Sequence, residues 1–165
     1  MADQWKDIPG SGLTHAHSLA EARRMLHAHG IAVTRQRLSV LAYLRERPGH
    51  PDADEVYQAM TARGAAISLA SVYNTLRLFA EKGLVTPVEL DENRLRFDAE
   101  LTPHGHFRCT ACGRIDNFPC DVDALPANGL DGYVITRRDV NFHGICKGCL
   151  NQQKEEPYGQ GQKEG

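Results

Sequence analysis

SLASVYNTLRLFAEKGLVTPVELDENRLRFD, residues Ser68–Asp98, sets the architecture. Ser68 is a residue type that caps helix N-termini, and Val72, Leu76 and Phe79 recur at the spacing that puts them on one helical stripe. Gly83 ends that helix, because glycine adopts the left-handed conformation that closes the last turn. Beyond it, Leu84–Leu90 and Arg94–Asp98 read as two short strands joined by the turn residues Asp91, Glu92 and Asn93.

Three further helical patterns lie upstream. The first opens at Ser18 with Glu21 three residues on, a capping box, and carries Leu19, Ala22, Met25 and Leu26 on one face before Gly30. In the second, Thr34 is the N-cap, Leu38, Leu41, Ala42 and Leu44 point inward, and Pro48 and Gly49 follow the end. The third starts around Asp52, with Asp54 and Glu55 in its first turn where the helix dipole favours anions, and runs through Val56 and Met60 to Gly64. A tri-helical core with a leading helix, followed by a two-stranded hairpin, is the winged helix-turn-helix pattern, in which the last helix enters the major groove of duplex DNA.

At 165 residues, 41% apolar and 24% charged, the chain has an ordinary globular composition and room for two small domains. No apolar run approaches the roughly 18 residues of a membrane span, and residues 1–12 lack a signal-peptide apolar segment, so a cytoplasmic protein without a membrane partner is expected. The net charge of -2 argues against a nucleic-acid binder until its distribution is considered. Ser18–Gly83 holds nine Lys and Arg against six Asp and Glu, so the acid is concentrated elsewhere.

From Gly105 the pattern changes to strand-like stretches at Phe107–Cys109, Arg114–Phe118 and Tyr133–Phe142, with a Pro- and Gly-interrupted connection at Leu125–Leu130 that has room for a short helix. The expected organisation is a mobile arm over 1–17, a winged-helix domain over 18–99, a hinge over 100–105, a small α/β domain over 106–150 and a disordered tail over 151–165. The fold class is therefore α+β.

Cys109 and Cys112 form one CxxC pair, and Cys146 and Cys149 form another. Two intervening residues let both thiolates of a pair converge on one tetrahedral ion, so four of the five cysteines specify a closed structural zinc site. The 33 residues between the pairs must hold a small sheet. A thioredoxin-type redox role is disfavoured because neither CxxC is expected to open a helix after a strand. Cys120 falls outside both pairs.

A second donor set is nitrogen and oxygen. His104 and His106 alternate, so an extended backbone points both the same way. Asp98 precedes them and His50 opens the third helix, giving a set suited to iron, manganese or zinc. His15, His17, His27 and His29 are assigned no ligand role, and His143 stays unassigned.

The motifs Val33–Arg37 (VTRQR), His50–Tyr57 (HPDADEVY), Ser68–Leu76 (SLASVYNTL), Arg96–Asp98 (RFD) and His104–Gly113 (HGHFRCTACG) together resemble the ferric uptake regulator superfamily over roughly Leu19–Leu150. The resemblance implies a homodimer, assembled through the zinc-bearing domain, with a regulatory Fe2+ or Mn2+ held by His50, Asp98, His104 and His106. A fifth family ligand, a carboxylate on the strand after the first CxxC, aligns with Asn117. Either the Asn117 carbonyl coordinates, Asp116 is recruited by a bulge, or the site has four protein ligands plus solvent.

The wording of the motifs is similar to the peroxide-sensing branch, in which Fe(II)-bound ligand histidines corresponding to His50 or His104 are oxidised and DNA is released. Iron-responsive and zinc- or manganese-responsive repression are the alternatives. No substrate beyond metal ion and peroxide is implied, and no enzyme activity is expected.

On the fourth helix, Ser71, Tyr73, Asn74 and Arg77 face outward for base and phosphate contacts, while Arg35 and Arg37 would hold phosphates of a double-stranded operator. Ligands drawn from both domains would bind metal only in one closed arrangement and so shift the population toward it. Two rivals remain at this point. A zinc enzyme would need an open three-ligand site, and no HExxH or nucleophile arrangement accompanies the histidines. A zinc-stapled interaction module would use the helical half as scaffold only.

Overall fold

Each of the four helical patterns becomes a helix in the computed structural model, which describes residues 15–46, 49–91 and 94–155. The expected arm before His15, the turn residues Glu92 and Asn93, and the tail beyond Glu155 lie outside the described residues. The chain divides into two units between Thr102 and Pro103.

The first unit contains α1 (His15–Ala28), α2 (Arg35–Glu46), α3 (Ala53–Ala62), α4 (Leu69–Glu81), β1 (Thr86–Asp91) and β2 (Arg94–Asp98). Helix α1 starts one turn earlier than its capping signal suggests. Ser18 is fully buried within the helix rather than capping it, because it extends backward the face that Ala22 and Leu26 bury. His15 and His17 are accordingly helical, not part of an arm.

The other N-termini follow their signals. The Thr34 hydroxyl accepts the Arg37 N–H at 3.2 Å, and the Ser68 hydroxyl accepts the Ser71 N–H at 3.2 Å. Asp52 does more than expected. Its carboxylate accepts the Glu55 N–H at 2.8 Å while Glu55 accepts the Asp52 N–H at 3.0 Å, a complete capping box that the Asp-x-x-Glu spacing already announces.

The core joins Ala22 and Leu26 of α1, Val40 and Leu41 of α2, Val56 and Met60 of α3, and Val72, Leu76 and Phe79 of α4. Gly83, at φ +70°, turns the chain after α4 so that the Leu84 N–H reaches the Phe79 carbonyl at 2.8 Å. Leu84 and Val85 then drop into this core instead of pairing, so the first wing strand begins at Thr86 and not at Leu84. β1 and β2 pair antiparallel, with Thr86 opposite Asp98, Pro87 opposite Phe97 and Val88 opposite Arg96.

In the second unit, β3 (His104–Cys109) lies between β4 (Ile115–Pro119), antiparallel to it, and β5 (Asn141–Gly144), parallel to it. The strand expected over Tyr133–Phe142 pairs only from Asn141. Arg138 explains the difference: its guanidinium donates to the carbonyls of Asp123 at 3.0 Å and Leu125 at 2.8 Å, holding this stretch to the preceding loop rather than to the sheet. Leu125–Leu130 forms turns and no helix. Helix α5 (Lys147–Glu155) occupies the start of what reads as a tail from Asn151. Its Gln, Lys and Glu residues favour helix without an apolar stripe to reveal it.

The Phe79 side chain is fully buried at the centre of the helical core. Phe79→Ala should therefore lower the unfolding free energy by about 3–5 kcal/mol, read by circular dichroism in a denaturant titration.

Candidate metal centres

Four sulfur atoms converge in the second unit. Cys109 ends β3, and a tight loop brings Cys112 back, with Gly113 at φ +74° donating its N–H to the Cys109 carbonyl at 2.9 Å. Cys146 follows β5 and Cys149 lies in the first turn of α5. Sγ of Cys109 is 3.9 Å from that of Cys149, and Sγ of Cys112 is 3.9 Å from that of Cys146. A tetrahedron with metal–sulfur bonds of about 2.3 Å has an edge of roughly 3.8 Å, so the thiols fit such an ion. All four cysteines are free of disulfide bonds.

Their acidities are divided. The backbone N–H groups of Cys146 and Cys112 pull the Cys109 thiol down to about 6, the former from 3.3 Å. Hydrogen bonding with the Cys146 and Cys112 side chains pushes Cys149 up to about 12. Thiols this close share protons among themselves, and all four can ionise together only around a cation. The second CxxC does open a helix after a strand, contrary to expectation, since α5 begins at Lys147 just beyond β5. That placement alone would suit a redox thiolate, but Cys146 and Cys149 share their sulfur cluster with the first pair. Cys120 stands outside the cluster.

The first unit presents a buried histidine and carboxylate. β2 grips the segment before α3: the Phe97 N–H donates to the Pro51 carbonyl at 3.0 Å, and Arg96 Nη1 donates to the His50 carbonyl at 2.8 Å. Arg94 Nη1 meets Asp52 Oδ2 at 2.9 Å. The grip sets His50 Nε2 3.3 Å from Asp98 Oδ2, while Asp98 Oδ1 accepts the Glu100 N–H at 2.7 Å. Burial alone would raise the Glu100 carboxyl, but the backbone and hydroxyl of Thr102 and the Arg45 charge outweigh it and hold it below its usual range. Sequence reasoning assigned no role to Arg94 and Arg96, although the RFD motif contains one of them.

The second unit presents a second pair at the start of β3. His104 Nε2 and His106 Nε2 are 3.1 Å apart, with their rings edge-to-face at 4.7 Å. Two donors at right angles on one ion, with bonds of about 2.1 Å, are separated by roughly 3 Å, so each pair has the bite of a chelate. Asn117 lies opposite His106 in a register that runs regularly from His104 to Arg108, which puts it on the histidine side of the sheet. Asp116 falls opposite Phe107, where Arg114 holds its carboxylate at 2.8 Å. No bulge interrupts that pairing.

The exposed residues of α4 are Ala70, Tyr73, Asn74, Arg77 and Glu81. Arg77 is fringed by Glu81 at 3.5 Å. Ser71 is half-buried, and its hydroxyl lies 2.9 Å from that of Ser68, so it belongs to the cap as much as to the surface. Arg35 is exposed, whereas Arg37 is half-buried and donates to the Ala32 carbonyl at 3.0 Å.

A winged helix followed by a small sheet with four convergent thiols defines the class, a metal-responsive regulator built on a DNA-binding fold. Residues 28–149 match the ferric uptake regulator family. The peroxide operon regulator of Bacillus subtilis (strain 168) is 34% identical over 142 residues, spanning 84% of this chain and 97% of its own. The peroxide-responsive repressor PerR of Staphylococcus epidermidis is 34% identical over 140 residues, spanning 82% and 93%. The solved structure of the Vibrio cholerae ferric uptake regulator superposes with a TM-score of 0.62 at 28% identity, covering 75% of this chain and 98% of that one. The protein belongs to the ferric uptake regulator family and is one of its metal-responsive repressors.

Between His104 and His106, Gly105 has no room for a side chain: a Cβ there would lie 2.7 Å from Phe118 Cε1, and Phe118 is stacked on Phe142 at 5.3 Å. Gly105→Val should break this stack and lower the stability of the second unit by about 1–3 kcal/mol, measured by tryptic susceptibility of the sheet against an unchanged helical transition.

Proposed function

We propose that the protein represses transcription when loaded with Fe2+ or Mn2+ and releases its operator when peroxide oxidises a ligand histidine. The observation that carries this reading is the presence of two chelating pairs, His50 with Asp98 and His104 with His106, in a chain of this family. The four side chains are proposed to serve a single regulatory ion, with Asn117 offering a neutral amide oxygen as a further donor. Nitrogen and oxygen donors of this kind suit iron or manganese, whereas the four thiols suit zinc.

His50 and His104 then have two tasks. Each binds through a ring nitrogen, and each is the group whose oxidation removes a ligand. Bound ferrous iron would supply the redox chemistry toward peroxide, which manganese would not. The relatives named for peroxide response at 34% identity support this branch over a purely iron-responsive one.

Duplex DNA is the proposed partner of Tyr73, Asn74 and Arg77 on α4, with Arg35, Arg37 and Ser71 at the margins. A homodimer is proposed through the second unit, which exposes the large apolar side chains Tyr133, Val134 and Phe142. Membership of a family of repressors favours the repressor reading over the zinc-enzyme rival, which would use His104 and His106 as ligands of an open site.

His104→Ala should retain zinc while losing at least about tenfold in Mn2+-dependent affinity for a duplex selected by the wild-type protein, a typical cost for damage to a metal shell. Equal metal-dependent binding by gel shift would remove the regulatory role of His104. In a second measurement, the iron-loaded protein exposed to peroxide should gain one oxygen atom on the peptide carrying His50 or His104, and the manganese-loaded protein should not. Metal-dependent DNA binding without that gain would leave an iron-responsive repressor.

A further inference from the structure

Arg45 sits in the last turn of α2, and its guanidinium links α1 to the backbone just beyond β2. Nη1 donates to the backbone carbonyl of Ala99 at 2.7 Å, and Nη2 meets Glu21 Oε1 of α1 at 3.0 Å. Nε is buried and finds no acceptor among the described residues, so the head group's bonds are those to Ala99 and Glu21. The α1–α2 packing itself runs through buried Ala22, Leu26, Val40 and Leu41, and does not need this contact.

What the contact does reach is the backbone next to Asp98. Ala99 is the following residue and is itself buried. On its other side the Glu100 N–H holds Asp98 Oδ1 at 2.7 Å, and Oδ2 is the oxygen turned toward His50. The Ala99 carbonyl and the Glu100 N–H belong to one peptide group, so Arg45 holds on one side the same planar unit that holds the Asp98 carboxylate on the other. Arginine suits this task because its planar fork reaches a carbonyl and a carboxylate at once in fixed geometry.

We propose that Arg45, held by Glu21, is a positioning residue for Asp98: by fixing the Ala99 carbonyl it orients the Asp98 carboxylate toward His50 and thereby sets the affinity for the regulatory metal. The inference rests on the reading of Asp98 as a ligand. It makes the packing of α1 on α2 part of the metal site's support, through one side chain from each helix.

The test is an Mn2+ titration of the full-length protein, followed by electron paramagnetic resonance, for the wild type and for Arg45→Ala, Arg45→Lys, Glu21→Gln and Asp98→Ala. Zinc content and thermal midpoint are recorded alongside. Arg45→Ala should weaken Mn2+ binding about tenfold or more, as loss of a ligand's supporting bond typically does, and alter the bound Mn2+ line shape while zinc content stays at the wild-type value. Arg45→Lys, which can reach one acceptor only, should recover part of the affinity.

Glu21→Gln should cost a few-fold, and should add little when combined with Arg45→Ala, because the two act as one unit. Wild-type Mn2+ affinity and line shape in either Arg45→Ala or Glu21→Gln would overturn the proposal, and Glu21→Gln decides it if Arg45→Ala does not fold. Wild-type Mn2+ binding in Asp98→Ala would instead sink the ligand reading beneath it.

Discussion

The hold that β2 exerts on residues 50–52 is the contact from which the first unit's chemistry follows. Phe97 and Arg96 bond the carbonyls of Pro51 and His50, and Arg94 bonds the Asp52 carboxylate. A strand of the wing is thereby fixed to the start of α3, two segments more than 40 positions apart in the chain. Asp52 can cap α3 and bind Arg94 with different oxygens, so helix start and wing are set by one carboxylate. His50 and Asp98 become neighbours as a result, although neither touches the other by sequence logic.

In the second unit the corresponding constraint is the convergence of four sulfurs. Cys109 ends the central strand and Cys146 follows its parallel neighbour, so a bond between their surroundings ties the sheet at one end. His104 and His106 lie at the opposite end of β3. The six-residue strand therefore separates a thiol cluster from an imidazole pair. Soft donors collect at one end and harder donors at the other.

Much of this was legible in the residues. Helical stripes, the Gly83 stop and the two CxxC pairs each carry a strong local signal, and the alternation of His104 with His106 foretold their shared direction. What was not legible depended on distant partners. Leu84 and Val85 look like strand residues, but the core behind α4 takes them. Tyr133–Val140 has strand-forming composition, yet Arg138 fixes the stretch to a loop. Ser18 reads as a cap because its environment, a fully buried helical face, is not written locally. α5 has no apolar stripe, and only its residues' helix propensity hints at it. The facing directions of Asn117 and Asp116 followed from a regular strand, and the continuous register opposite β3 supports that inference.

The connection from β4 to β5 carries the chain from one edge of the sheet to the other without a helix to cover the crossing. β4 and β5 run antiparallel to each other, so the passage needs no crossover helix, and the described contacts that anchor it centre on the Arg138 guanidinium and its carbonyl acceptors. Residues 120–140 are thus a segment whose order costs little to lose, and local opening there need not melt the strands at either side. Substitutions and small insertions should accumulate in this span over evolutionary time, leaving Arg138 and its acceptors as the part that related sequences must keep or replace with an equivalent clasp.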